Sequence, residues 1–177
     1  SETMLGRAIA ETDSAAVRYR RTDLETLTLE PRSADLVVSS MTLHYLEDFD
    51  RLAKTLFAAL VPGGQLVFSV EHPIYAARAE PEWVTAADGR RAFAIADYGI
   101  EGRRVTNWIV DGIVKYHRTL GTTLNTLITA GFDLRRVEEF APTPTQVECM
   151  PELAEELERP MMLLVSAHKP RRDYHAP

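Results

Sequence analysis

Three short segments hold residue types that could grip a small ligand. Asp23-Leu24 is the first. A carboxylate at the end of a strand can accept a hydrogen bond from an exocyclic amine while the next backbone N–H serves a ring nitrogen, so the pair could read one edge of an adenine; the plainer reading is an acidic turn or helix cap. The second is Ser39-Ser-Met-Thr-Leu-His-Tyr45, directly after a β-branched run. The third is Pro62-Gly-Gly64 with the apolar run that leads into Glu71-His72-Pro73. His44 and His72 lie near these ends and His117 lies further on; imidazole changes charge close to neutrality, so each is a candidate base, or else a buried or capping histidine satisfied by backbone. Tyr45, Tyr75, Tyr98, Tyr116, Trp83 and Trp108 could wall a pocket or form the core of a loop-rich region. Arg118 could fork onto a carboxylate, and Met4 and Met41 could pack on a ligand or merely fill gaps. Cys149 is the single cysteine, and no Cys/His cluster has zinc spacing, so neither an internal disulfide nor a metal is expected.

The elements that must position these residues follow from periodicity. Ser1 to Ile9 reads as a capped helix with Met4, Leu5, Ala8 and Ile9 on one face. Val17 to Arg21 alternates and predicts an edge strand ending at Thr22-Asp23. Asp35 to Ser40 predicts a parallel strand buried on both faces. Asp48 caps a helix with an apolar stripe of Phe49, Leu52, Ala53, Leu56, Phe57 and Leu60, which Pro62-Gly-Gly64 stops. Leu66 to Val70 is the next buried strand, which completes a βαβ unit. Residues 73–118 lose all clean period and read as an insertion or lid. A helix follows over Thr119 to Ala130, closed by Gly131; then a strand over Phe132 to Phe140, a loop over Ala141 to Val147, a short helix from Pro151 to Glu158 and a last strand over Met161 to His168. The expected organisation is one domain over residues 1–169 with a flexible tail over 170–177.

Alternation of strand and helix places ligands at the carboxyl ends of the parallel strands. Asp35 through Leu46, a helix, and then Leu60-Val-Pro-Gly-Gly-Gln-Leu-Val-Phe-Ser69 resembles the fourth-strand and fifth-strand motifs of the class I, Rossmann-like methyltransferases that use S-adenosylmethionine. Thr22-Asp23-Leu24 looks like that family's adenine-contacting acid, and Ser1 to Leu5 looks like the helix after its ribose-binding acid. Glu71-His-Pro73, Asp97-Tyr98, Lys115-Tyr-His-Arg-Thr119 and Ala130-Gly-Phe132 look like a bacterial small-molecule branch. The resemblance implies an α/β fold with a mostly parallel sheet, an antiparallel last strand and a lid between the fifth and sixth family strands. It implies S-adenosylmethionine as cofactor, with Asp23, Leu24, Ser39, Ser40, Met41 and Tyr45, and also Met4, on the cofactor side. His44, His72, Tyr98 and His117 are then the catalytic candidates on the acceptor side, since an in-line methyl transfer needs alignment and a base only where the nucleophile carries a proton. The departure is at the start: no G-x-G pattern occurs in the sequence, so the family's glycine-rich loop and first two strands are expected to be lacking.

Length and composition narrow the alternatives. At 177 residues, 45% apolar and 26% charged, the chain is an ordinary globular domain. A net charge of −6 supplies no field for gathering phosphates, so nucleic acid is not the expected partner. Its apolar runs are too short to span a bilayer, and a reducing cytoplasm fits the lone thiol. The expected partner is a small-molecule substrate, with a homodimer if a sheet edge is left open. Two rivals remain: a catalytically silent binding or dimerising module, and another nucleotide-dependent enzyme on this architecture, such as an oxidoreductase, which would need a Tyr-x-x-x-Lys pair that the sequence lacks.

Overall fold

The structure is a computed structural model that describes residues 1–107 and 110–171. Trp108 and most of the expected tail lie outside the described residues.

The first helix, α1 (Glu2–Glu11), starts where Ser1 Oγ accepts the Met4 N–H at 3.4 Å. Its expected stripe forms but covers nothing: no residue of α1 is buried, and Met4 is 73% exposed. The strand expected over Val17 to Arg21 is not formed. Alternation is only an invitation to pair, and with no neighbouring strand to supply a ladder the segment stays an extended loop with Val17 and Tyr19 exposed.

The strand β1 (Ala34–Ser40) leads through a short 3-10 turn at Leu43–Tyr45 to α2 (Phe49–Ala59) and back along β2 (Leu60–Glu71), which pairs parallel with β1. Asp48 caps α2 by accepting the Arg51 N–H at 2.9 Å, and Phe49, Leu52, Ala53, Leu56 and Ala59 are buried along its inner face. The stop comes at Leu60, already extended, where Lys169 Nζ donates to the carbonyls of Phe57 and Leu60 at 2.8 and 2.9 Å and so satisfies the open end of the helix. Gly64 then passes so close to the Val61 and Asp35 carbonyls that a Cβ would stand 2.9 and 3.1 Å from them, which is why the turn needs that residue.

The lid begins with α3 (Pro73–Ala76) and holds two antiparallel ribbons, β3 (Trp83–Thr85) with β4 (Arg91–Phe93), and β5 (Gly102–Thr106) with β6 (Ile113–His117). Next come α4 (Leu120–Ala130), β7 (Asp133–Glu139), α5 (Pro144–Cys149), a 3-10 turn at Pro151–Leu157 and β8 (Met162–His168). The sequence reading made α5 a loop; a capping box between Thr143 and Gln146, with Pro144 in the first turn, nucleates it without any buried residue.

The sheet has the order β1-β2-β8-β7, with β8 antiparallel to both of its neighbours. Strands β1, β2 and β7 therefore share one direction and β8 alone opposes them, the mostly parallel arrangement with a reversed last strand that was expected. One face is covered by α2 and α4 over Leu66, Phe68, Leu163, Val165 and Ala167. The two-faced burial expected for β1 does not hold: Leu36 and Val38, on the opposite face, are 55% and 67% exposed, because no described element covers that side and β1 is the edge strand. No helix among the described residues is long and apolar enough to cross a membrane.

Gly131 ends α4 at φ 104°, and a Cβ there would sit 2.8 Å from Cζ of Phe57 on α2. Gly131→Ala is expected to lower stability by about 2 kcal/mol, from left-handed strain and the clash together, read as a shift in the urea unfolding midpoint at unchanged slope.

Candidate active site

The crevice is built where β1 and β2 end. Their register brings Ser39 beside Phe68 and Ser40 beside Ser69, running in the same direction. One residue on, the Met41 N–H donates to the Ser69 carbonyl at 2.9 Å and lies 3.2 Å from its hydroxyl. Met41 takes a left-handed φ of 49°, unusual for a residue with a side chain, so the chain turns sharply off the strand and into the 3-10 turn. Such strain persists only when the surroundings hold it, and strand ends that bind ligands are where it collects.

Two devices tie the Asp23-Leu24 turn to the start of α2, just beyond this tip along the chain. The Glu25 carboxylate accepts the Glu47 and Asp48 N–H groups at 2.6 and 3.3 Å, at the entrance to α2. Arg51, one turn into α2, donates to the Leu24 carbonyl and to the Leu27 carbonyl at 3.1 Å. The Asp23 side chain is exposed and accepts only from Glu25 N–H, and the Leu24 N–H, the Ser39 and Ser40 hydroxyls and the Tyr45 hydroxyl have no hydrogen-bond partner among the described residues. Asp23, Leu24, Ser39, Ser40, Met41 and Tyr45 thus lie on two mutually tied segments with polar groups to spare. Met4 is not brought to them by any contact; α1 is joined to residue 21 through the Arg21–Glu2 ion pair.

The candidate acid–base residues divide. His44 is buried at the crevice, and its Nδ1 accepts the Glu71 N–H at 3.4 Å. Burial, and then the charges of Lys115 and Arg118, push its pKa down to about 4, so the ring is neutral near pH 7. With Nδ1 accepting, the single ring proton sits on Nε2, and His44 is a donor there rather than a base. His72 was expected as a second base, but both nitrogens are taken: Nδ1 accepts the Ile74 N–H at 3.1 Å as the cap of α3, and Nε2 faces the Glu139 carboxylate at 2.8 Å. Tyr98 is likewise occupied, its hydroxyl accepting the Leu120 N–H at 3.0 Å at the start of α4. His117 donates from Nε2 to the Tyr98 carbonyl at 2.9 Å while its buried Nδ1 lacks a partner; burial is the leading cause of its lowered pKa.

The sequence reading missed the group between these residues. Glu71, the last residue of β2, forms a buried ion pair with Lys115 of β6. The signal was available: Ile113-Val-Lys-Tyr-His117 alternates so that Lys115 and His117 share the inward face, and an inward lysine needs a carboxylate. Arg118, weighed above as a carboxylate anchor, instead donates to the Leu46 carbonyl and to the Glu47 carbonyl at 2.8 Å and lies over the Phe49 ring. The cavity walled by Leu43, His44, Phe49, Glu71, Tyr116 and Arg118 holds only about 30 Å³, space for about one water.

Comparison with known proteins places the chain. A family model described as a methyltransferase domain matches residues 1–68, which carry the Asp23 turn, β1, α2 and most of β2. A solved S-adenosylmethionine-dependent methyltransferase from Mesorhizobium loti is 54% identical and superposes with a TM-score of 0.90, covering 95% of this chain and 77% of that one. A structure from Listeria monocytogenes, proposed to be an enzyme of the same kind, is 36% identical with a TM-score of 0.84, covering 96% of this chain and 76% of that one. A protein of Haemophilus influenzae without an assigned function is 34% identical over 137 residues; the match takes in 76% of this chain and about half, 54%, of that protein.

The His44 pKa makes stability depend on pH. Its folded value of about 4 lies below the ordinary 6.5, so the unfolded chain binds the extra proton first. The contribution is complete above pH 6.5 and is lost as pH falls from there toward 4, up to about 3 kcal/mol at 1.4 kcal/mol per unit. Urea unfolding across this window should show a shallower pH slope in His44→Gln than in the parent, the remainder including His117, whose pKa burial also lowers, and toward the acid end Glu101.

Proposed function

The chain belongs to the S-adenosylmethionine-dependent methyltransferases, and on that premise we propose that it methylates a small-molecule acceptor at the crevice between the tips of β1 and β2. The observation that carries this reading is the Met41–Ser69 lock. It holds two parallel strand ends side by side at the point where an α/β sheet binds its ligands.

The residues present fit the adenosyl side of the cofactor. The Asp23 oxygen not already accepting from Glu25 N–H would accept from the exocyclic amine and the Leu24 N–H would serve a ring nitrogen, on a turn that Glu25 and Arg51 hold fixed. Ser39, Ser40, Met41 and Tyr45 would line the path of the remainder. When bound, S-adenosylmethionine would supply an electrophilic methyl group carried on a sulfonium sulfur. The chain's own part is to align the acceptor, to exclude water and to take up the acceptor's proton where there is one. His44 Nε2–H is a hydrogen-bond donor for orienting the acceptor. The proton passes to the Glu71 carboxylate, which is partnered by Lys115 at the strand end.

Titration calorimetry with S-adenosylhomocysteine tests the reading. Binding is expected, and Asp23→Asn should weaken it about tenfold, the size of a lost charge-assisted hydrogen bond, without moving the thermal midpoint because Asp23 is exposed. Absence of binding, or an Asp23→Asn variant that binds as the parent does, sinks the proposal.

A further inference from the structure

A second cavity lies on the other side of the Glu71–Lys115 pair, between the end of β2, the start of the lid and the β5–β6 ribbon. It holds about 250 Å³, somewhat under the roughly 300 Å³ at which ligand pockets begin, so its occupant is small. Glu71 lines both this cavity and the small one beside His44, which places the larger space next to the crevice where the methyl group would be presented.

The wall is built for polar contact. Thr106, at the end of β5, is 9% exposed, and its hydroxyl is buried with no hydrogen-bond partner. An orphaned hydroxyl costs free energy unless something supplies its partner, and a ligand in this cavity would do so. Arg104 carries a charge that no carboxylate neutralises among the described residues: its guanidinium donates to the carbonyls of Ala77 at 2.7 Å and Ile100 at 2.5 Å and forms no ion pair. Lys115 is offset by Glu71 and Arg78 by Glu82, while Glu80 is exposed at the rim, where water and salt screen it. The inner field is therefore positive.

Building on the methyltransferase reading, we propose that this cavity is the acceptor pocket and that it takes a small carboxylic acid which also bears the nucleophilic O–H or N–H. The carboxylate lies in the field of Arg104 with a hydrogen bond from the Thr106 hydroxyl, and the O–H or N–H group faces the Glu71 carboxylate. A neutral acceptor of the same shape would leave the Arg104 charge without a counter-ion and would bind less well.

Matched probes test this on the intact chain without cofactor: 4-hydroxybenzoate against 4-hydroxybenzamide, and lactate against lactamide, each by calorimetry or ligand-observed NMR. At least one acid should bind tenfold or more tightly than its amide, and Thr106→Val should weaken that acid about fivefold while the thermal midpoint of the free protein stays level or rises, since the variant removes an unsatisfied buried group. Arg104→Lys, which keeps the charge, should retain the preference for the acid. If neither acid binds better than its amide, or if Thr106→Val leaves the affinity unchanged, the pocket assignment is overturned. S-adenosylhomocysteine titrated in parallel reports separately. Acid preference without nucleoside binding defeats the cofactor reading alone, and nucleoside binding without acid preference defeats only the pocket.

Discussion

The parallel pairing of β1 with β2, carried one residue beyond the ladder by the Met41–Ser69 hydrogen bonds, is the constraint on which the rest of the site depends. A parallel pair has to be joined by a crossover, and here α2 supplies it and buries its stripe against the same strands. Because the register fixes both strand ends at one level, Ser40 and Ser69 meet side by side, and the chain must leave β1 by a left-handed turn at Met41. A slip of one residue would turn every side chain of β1 to the other face and carry the Ser39–Tyr45 segment away from Glu71.

What keeps the surrounding loops in place is a repeated device: a half-buried or buried cation donating to backbone carbonyls. Arg51 holds the turn at Leu24 and Leu27, Arg118 holds Leu46 and Glu47, Arg104 holds Ala77 and Ile100, and Lys169 closes the end of α2. Loops packed into a domain carry carbonyls with no ladder to join, and an arginine fork satisfies two of them at once. Three of the four clamps flank the crevice or the lid beside it. The segments beside the strand ends are thus held by side chains that start within regular elements, Arg51 on α2 and Arg104 on β5, or directly at the end of one, Arg118 after β6.

The sequence disclosed the elements whose period is enforced by a single buried face. For α2 the Asp48 cap and most of the apolar stripe matched the structure, although the helix ends at Leu60, ahead of Pro62-Gly-Gly64, and α4 ends at Gly131 as its sequence indicates. The expectation failed where a pattern needed a partner to become structure: Val17 to Arg21 alternates without pairing, and β1, apolar from Leu36 to Val38, is wet on one face. Ser39, Ser40 and Met41 could be singled out because they follow directly on one strand, so that position marks them. The pairing of Glu71 with Lys115 was not legible, since it joins residues 44 positions apart and the alternation of Ile113 to His117 marks the lysine as inward without naming its carboxylate. Long-range ion pairs leave no local trace beyond an inward-facing charge.

The histidines illustrate why residue type alone misplaces acid–base chemistry. Three imidazoles near the right elements looked interchangeable in sequence, and hydrogen bonding separates them. His72 has no nitrogen left, His44 has its lone pair occupied by the Glu71 N–H and presents a proton instead, and His117 keeps a free Nδ1 but lies against Tyr98. A ring whose pKa is held low by burial and by neighbouring cations gives up the ability to take a proton near neutrality but remains a dependable donor. The carboxylate at the tip of β2 is Glu71, which Lys115 partners in the interior. Burial is the larger cause of the low His44 pKa, and Lys115, which also pairs with Glu71, adds to it, so one buried lysine touches the surroundings of both groups.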